Sequence, residues 1–75
     1  MSSRKELVEN SLTAIDNIQY ILLRLKNDIE QIEQAVIENK ETPVPARKDA
    51  FDYSFTIIEL CVIVKQSMDE LAFRR

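Results

Sequence analysis

Apolar residues in the first half of the chain recur at steps of three and four, which places them along one face of a long helix. Such a stripe is typical of a coiled-coil seam. Ser3 and Glu6 have the spacing of a capping box at a helix start, and Asn39 is suited to a left-handed helix terminator. The pattern predicts a first helix over about residues 3–39. The stripe consists of Val8, Leu12, Ile15, Ile18, Leu22, Leu25, Ile29, Ile32 and Val36.

A break follows at Pro43 and Pro45, because proline lacks an amide donor and disfavours helical angles in the preceding residue. It predicts a loop over about residues 40–44 and a second helix over about 45–73. The β-branched residues of Thr56–Val64 also suit a strand. Helix is the preferred interpretation, because a helical wheel gathers the acidic residues on one side and the chain offers no partner strand.

The second half of the chain has two apolar stripes. One is expected to face the first helix and contains Ala50, Tyr53, Ile57, Leu60, Val64, Met68 and Leu71. Beside it, at steps of four, three and four, lie Phe51, Phe55, Ile58 and Val62. A single neighbouring helix needs an apolar arc of only about 100°. The second helix is therefore expected to contact more than one neighbour.

These elements predict an all-α fold, an antiparallel hairpin of two long helices that forms a single domain over residues 1–75. Two helices alone cannot enclose a core, so two hairpins are expected to pair into a dimeric four-helix bundle with the second stripe at the joint. A foreign helix in the same place is the alternative. Acidic residues near the end of the first helix are expected to meet Arg47 and Lys48 across the turn. They are Asp28, Glu30, Glu33 and Glu38.

Composition supports an assembly of this kind. A chain of 75 residues has a marginal core, and one cysteine with no histidine leaves few ligands for a disulfide or a structural metal. The unpaired cysteine and the lack of a leader indicate a cytoplasmic location, and no apolar stretch reaches the roughly 20 residues that a membrane span needs. A net charge of -3 favours protein partners over nucleic acid.

The chain offers little catalytic chemistry. Acidic pairs one helical turn apart resemble Mg²⁺ ligands, but they flank the seam or lie on the polar side and are interpreted as solvated charge. They are Glu30/Glu33, Glu38/Glu41 and Asp49/Asp52. Cys61 has no histidine to activate it and is expected to pack in the core. We therefore expect no enzyme, no catalytic residue, no cofactor and no metal.

Four apolar residues outside the expected seams form a candidate recognition patch: Tyr20, Leu23, Ile63 and Phe73. The leading hypothesis is a small non-enzymatic protein–protein interaction module, such as an adaptor, regulator, inhibitor or small chaperone. It would act as a homodimer and bind a further protein. The alternatives are a Mg²⁺-dependent nucleotide hydrolase-like helical bundle and an RNA-binding helical-hairpin dimer.

Overall fold

The computed structural model describes residues 3–73, which form an antiparallel hairpin of two helices. Helix α1 runs from Arg4–Ile37 and helix α2 from Val44–Phe73. The hairpin is a rod with extents of 57 × 15 × 14 Å. The all-α hairpin predicted from the sequence is confirmed, while residues 1, 2, 74 and 75 of the expected domain lie outside the described range.

Both helices begin at residues that suit a helix start. The Ser3 hydroxyl accepts a hydrogen bond from the Glu6 amide at 3.1 Å, which satisfies one of the free donors in the first turn of α1. At the start of α2, Pro43 precedes the first helical residue, Val44, and its carbonyl accepts the amide of Arg47 at 3.1 Å. Both prolines of the break thus lie where a missing amide costs no helical hydrogen bond.

The end of α1 is a Schellman motif around Asn39, which has a positive φ of 54°. The Asn39 amide donates to the Val36 carbonyl at 3.1 Å, and the Lys40 amide donates to the Ala35 carbonyl at 2.8 Å. These two bonds satisfy carbonyls that the helix end leaves without a partner. Asparagine tolerates the left-handed conformation better than most residues, so the chain turns here without glycine.

The helices pack along a heptad pattern that we call the seam. Seam residues alternate at steps of four and three, and every buried or half-buried residue within α1 and α2 belongs to it. In α1 these are Leu7, Ser11, Ala14, Ile18, Ile21, Leu25, Asp28, Ile32 and Ala35. In α2 they are Ala46, Ala50, Tyr53, Ile57, Leu60, Val64, Ser67 and Leu71.

The seam of α1 differs from the stripe predicted from the sequence. Only Ile18, Leu25 and Ile32 belong to both, and the other predicted residues keep 39–63% of their surface exposed. These are Val8, Leu12, Ile15, Leu22, Ile29 and Val36. The centre of the seam is therefore displaced around the helix by about 50°, half of one residue step, from the expected orientation. Small side chains such as Ala14 and Ala35 then face α2, and small residues at a contact allow closer helix packing.

The predicted stripe of α2 is correct except at Met68, which is 43% exposed while Ser67 is buried. The expectation that Cys61 packs in the core is wrong, because its free thiol is exposed. The expected ion pairs to Arg47 and Lys48 do not form among residues 3–73. The ion pairs present there are local ones on or beside a single helix: Lys5–Glu9, Lys40–Glu38 and Lys65–Asp69.

Candidate interaction face and cavity

An exposed apolar row runs along α1 beside the seam. Its members occur at every seventh position, each directly after a seam residue, and are between 39% and 63% exposed. They are Val8, Ile15, Leu22, Ile29 and Val36. Because the spacing matches the heptad of the seam, the row stays on one flank of the helix for its whole length.

Helix α2 has an apolar row of its own, and it consists of the residues predicted from the sequence to form the partner interface. Phe51, Phe55, Ile58 and Val62 are 64%, 53%, 60% and 44% exposed. The rings of Phe51 and Phe55 contact each other edge to face, with centroids 5.1 Å apart. These side chains do not take part in the seam, so α1 does not cover them.

The α1 row and half of the α2 row lie on the same side of the hairpin, because Phe51 and Ile58 directly follow seam residues as the α1 row does. Phe55 and Val62 lie two positions from the seam, on the outer side of α2. In an antiparallel helix pair, positions that directly follow the seam flank the same side in both helices, and positions that directly precede it flank the other. Two cavities lined by preceding positions of both helices show this on the opposite side: one joins Arg24 to Asp49, the other joins Asn10 and Asn17 to Ile63. The surface formed by the two rows begins on the side of the α1 row and continues onto the outer side of α2. We call this surface the apolar face, and its residues are Val8, Ile15, Leu22, Ile29, Val36, Phe51, Phe55, Ile58 and Val62.

The apolar face contrasts with the core of the hairpin. Seventeen large apolar side chains of the described chain keep between 39% and 87% of their surface exposed, whereas Leu7 is the only large one that is buried. The other buried apolar residues are alanines: Ala14, Ala35, Ala46 and Ala50. The contact between α1 and α2 therefore buries one leucine and four alanines fully and its other large side chains only in part.

A cluster of polar side chains lies on the opposite side, in a cavity of about 320 Å³ between the helices. The Arg24 guanidinium is held there by two tyrosines. Its Nε donates to the Tyr53 hydroxyl at 2.9 Å and its Nη1 donates to the Tyr20 hydroxyl at 3.1 Å. The guanidinium carbon lies 5.9 Å and 5.7 Å from the respective ring centroids, within the range of cation–π attraction. The hydrogen bond to Tyr53 and, to a lesser extent, the one to Tyr20 raise the pKa of Arg24 above its ordinary value.

A buried carboxylate lines the same cavity. Asp28 occupies a seam position and is only 7% exposed. Within residues 3–73 its Oδ2 atom has no hydrogen-bond partner. Asp49 of α2 also lines the cavity, and it is exposed. An unpaired buried acceptor costs about 1–3 kcal/mol, so Asp28 is expensive for folding at this position.

The four residues of the candidate recognition patch are distributed along the rod. Tyr20 and Leu23 both line the cavity that contains Arg24. Ile63 lines the second cavity, nearer the N-terminal end of α1, with Asn10 and Thr13. Phe73 is 87% exposed at the end of α2. The structure thus brings Tyr20 and Leu23 together and keeps the other two apart from them.

The acidic pairs that resemble Mg²⁺ ligands are exposed in all three cases. Across residues 3–73, no cluster of three or more acidic, cysteine or histidine side chains is arranged to hold a metal ion. Neither α1 nor α2, over its described length, is long and apolar enough to cross a bilayer.

Comparisons with known proteins add no family or neighbour to this description. The chain matches no protein-family model, no curated protein and no solved structure. Its function must therefore be inferred from the geometry of the hairpin.

The sequence pattern did not single out Arg24 or Asp28. The sequence groups Asp28 with the acidic end of the first helix, because the apolar stripe passes through Ile29 instead. One signal is present in the sequence: Tyr20, Arg24 and Asp28 follow one another at intervals of one helical turn. Only the register between α1 and α2 shows that Tyr53 reaches Arg24.

Proposed function

We propose that this chain is a small non-enzymatic protein–protein interaction module that acts as a homodimer through its apolar face. The observation that supports this most strongly is the burial pattern. Among residues 3–73 the fully buried apolar side chains are Leu7 and four alanines, while the aromatic and aliphatic rows of the apolar face remain exposed. Full burial of a large apolar side chain stabilises a protein by roughly 1.5–3 kcal/mol, and the exposed residues of the apolar face gain only part of this free energy in a single hairpin. A covering partner would supply the rest.

A second copy suits the apolar face better than a short foreign segment. The α1 row extends from Val8 to Val36 with a constant heptad spacing, so its partner must be of similar length. Another hairpin has a row of that length and carries the complementary α2 row beside it. Two such hairpins related by a two-fold axis form a four-helix bundle, which encloses the core that one hairpin cannot.

The dimer would leave the ends and the polar side of each hairpin free for a further protein. Adaptor, regulator, inhibitor and small chaperone are the roles open to such a module. We place it in the cytoplasm on the basis of its single free cysteine, since unpaired thiols are most common in reducing compartments. No nucleic acid or membrane partner belongs to this proposal.

A pair of matched variants tests the proposal. Ile58→Asp puts a charge on the apolar face, whereas Leu23→Asp puts the same charge at a residue that is 71% exposed and outside that face. Burying the new carboxylate in an apolar joint is costly, so only Ile58→Asp should break the dimer. Size-exclusion chromatography with light scattering should give the dimer mass for the unmodified chain and for Leu23→Asp, and half that mass for Ile58→Asp. A dimer of unchanged affinity in Ile58→Asp would refute the interface.

A further inference from the structure

The cavity between α1 and α2 holds charges of both signs that do not neutralise each other. Arg24 and Asp28 are one turn apart on α1, a spacing at which opposite charges commonly pair. In this hairpin the pair does not form. Arg24 donates its hydrogen bonds to the two tyrosine hydroxyls, and the Asp28 Oδ2 atom has no partner among the described residues. The two charges remain separate at one site.

Each charge has unused hydrogen-bonding capacity. A guanidinium has five N–H donors, of which Arg24 uses two on tyrosine hydroxyls within the described chain. The remaining donors suit a carboxylate, which a guanidinium binds with two parallel hydrogen bonds. Asp28 and Asp49, on the two helices, line the same cavity, and carboxylate oxygens suit an ammonium group.

The buried acceptor is what separates this cavity from an ordinary surface cleft. Asp28 is more than nine-tenths buried, and folding bears the cost of its unpaired oxygen. The Oδ2 atom is closed to water in this hairpin, so a ligand would reach it only if the carboxylate turned toward the cavity, and a hydrogen bond made there would remove that cost. A few polar groups set in a largely apolar cavity are characteristic of binding sites.

We propose that this cavity binds a small zwitterion of the amino-acid class, with its ammonium group between Asp28 and Asp49 and its carboxylate on Arg24. The volume of about 320 Å³ lies at the lower end of the range for ligand cavities and fits a molecule of that size. Tyr20, Tyr53 and Leu23 supply an apolar wall for an aliphatic side chain. A divalent metal fits less well, because only two carboxylates line the cavity and Arg24 stands beside them.

This site is independent of the apolar face, since it lies on the other side of the hairpin. The dimer and the ligand site can therefore fail separately: loss of dimerisation in Ile58→Asp says nothing about the cavity, and loss of ligand binding leaves the dimer mass unchanged.

A set of three matched probes tests the proposal on the full chain. L-leucine carries both charged groups, isoamylamine is the same skeleton without the carboxylate, and isocaproate is the skeleton without the ammonium. Amide NMR titration should show leucine shifting the signals of residues 20–28 and 49–53, with an affinity at least about tenfold above that of either half-molecule, since a hydrogen bond to a charged group contributes about 1.5–3 kcal/mol.

Two variants assign the charges. Asp28→Asn keeps the size of the side chain and should weaken binding of leucine and isoamylamine by about tenfold or more, with no loss for isocaproate. Arg24→Gln should weaken leucine and isocaproate by a similar factor. Glu30→Gln, at an exposed position on the same helix, is the control and should bind like the unmodified chain. Circular dichroism verifies that each variant is folded. If a variant does not fold, the comparison of the three probes on the unmodified chain still tests the proposal.

The proposal is overturned if leucine at millimolar concentration leaves these signals unchanged, or if isoamylamine binds as tightly as leucine. It is also overturned if Mg²⁺ shifts the same signals and leucine does not, since that would identify a metal site instead.

Discussion

Arg24 of α1 donates a hydrogen bond from Nε to the hydroxyl oxygen of Tyr53 on α2 over 2.9 Å, although 29 positions separate the two residues. In the described part of the chain it is the only side-chain hydrogen bond that joins the two helices. The remaining side-chain bonds connect residues three or four apart. This bond therefore helps to set the register of α2 against α1 at the cavity.

Removal of the Tyr53 hydroxyl should weaken the hairpin. We expect Tyr53→Phe to lower the free energy of unfolding by about 0.5–1.5 kcal/mol, as for a typical hydrogen bond. Tyr20→Phe is the matched control, because its bond to Arg24 stays within one turn of α1 and should cost about 0.2–0.5 kcal/mol. Urea denaturation at equal protein concentration measures both. Equal losses in the two variants would show that the interhelical bond has no special role.

The left-handed turn at Asn39 gives a stabilising substitution. Glycine adopts a φ near the observed 54° without a steric penalty, so Asn39→Gly should raise the free energy of unfolding by about 0.5 kcal/mol. Lys40→Gly is the control, since Lys40 does not have a positive φ and glycine there only adds freedom to the unfolded chain. Thermal unfolding followed by circular dichroism should raise the midpoint in the first variant and lower it in the second. The opposite order would mean that the Schellman motif does not form.

Replacement of the buried carboxylate of Asp28 should change the free energy of unfolding more than the substitutions above. Asp28→Leu removes an acceptor without a partner and adds apolar contact in the seam, so we expect it to stabilise the hairpin by about 1–3 kcal/mol. Glu30→Leu changes an exposed acid on the same helix and should alter stability by less than about 0.5 kcal/mol. Chemical denaturation compares the two. Destabilisation by Asp28→Leu would place Asp28 outside the seam.

The exposed thiol reports on whether the apolar face is covered. Cys61 directly follows the seam residue Leu60, so it lies on the same side as the apolar face. In the proposed dimer a second chain covers this thiol, and its reaction with Ellman's reagent should slow as protein concentration increases. Phe55→Asp should react at the fast rate at every concentration. A rate in the unmodified chain that does not depend on concentration would argue against coverage of this side.

The sequence was sufficient to predict the features that depend on local chemistry. Ser3 caps α1, Asn39 terminates it in the left-handed conformation, and two prolines separate the helices. Each of these follows from a residue whose backbone preference does not depend on the rest of the fold.

The orientation of α1 was not predictable in the same way, because the helix has apolar residues at two neighbouring heptad positions. The apolar stripe that includes Ile15 and Leu22 in place of Ala14 and Ile21 puts one of the two alternating seam positions one residue too far along. The prediction for Cys61 fails for a related reason. The apolar surface of α2 is wider than the contact with one neighbouring helix, and the sequence does not show which part of it α1 covers. Asp28 was missed because a charged residue in a seam contradicts the pattern used to find the seam.

Sedimentation equilibrium of the unmodified chain tests the central claim most directly, because it measures mass and concentration dependence together. If the apolar face is the joint between two copies, micromolar protein should have twice the chain mass of 8.7 kDa and lose helicity as dilution dissociates it. A fully helical species of 8.7 kDa that unfolds cooperatively at micromolar concentration would contradict the account.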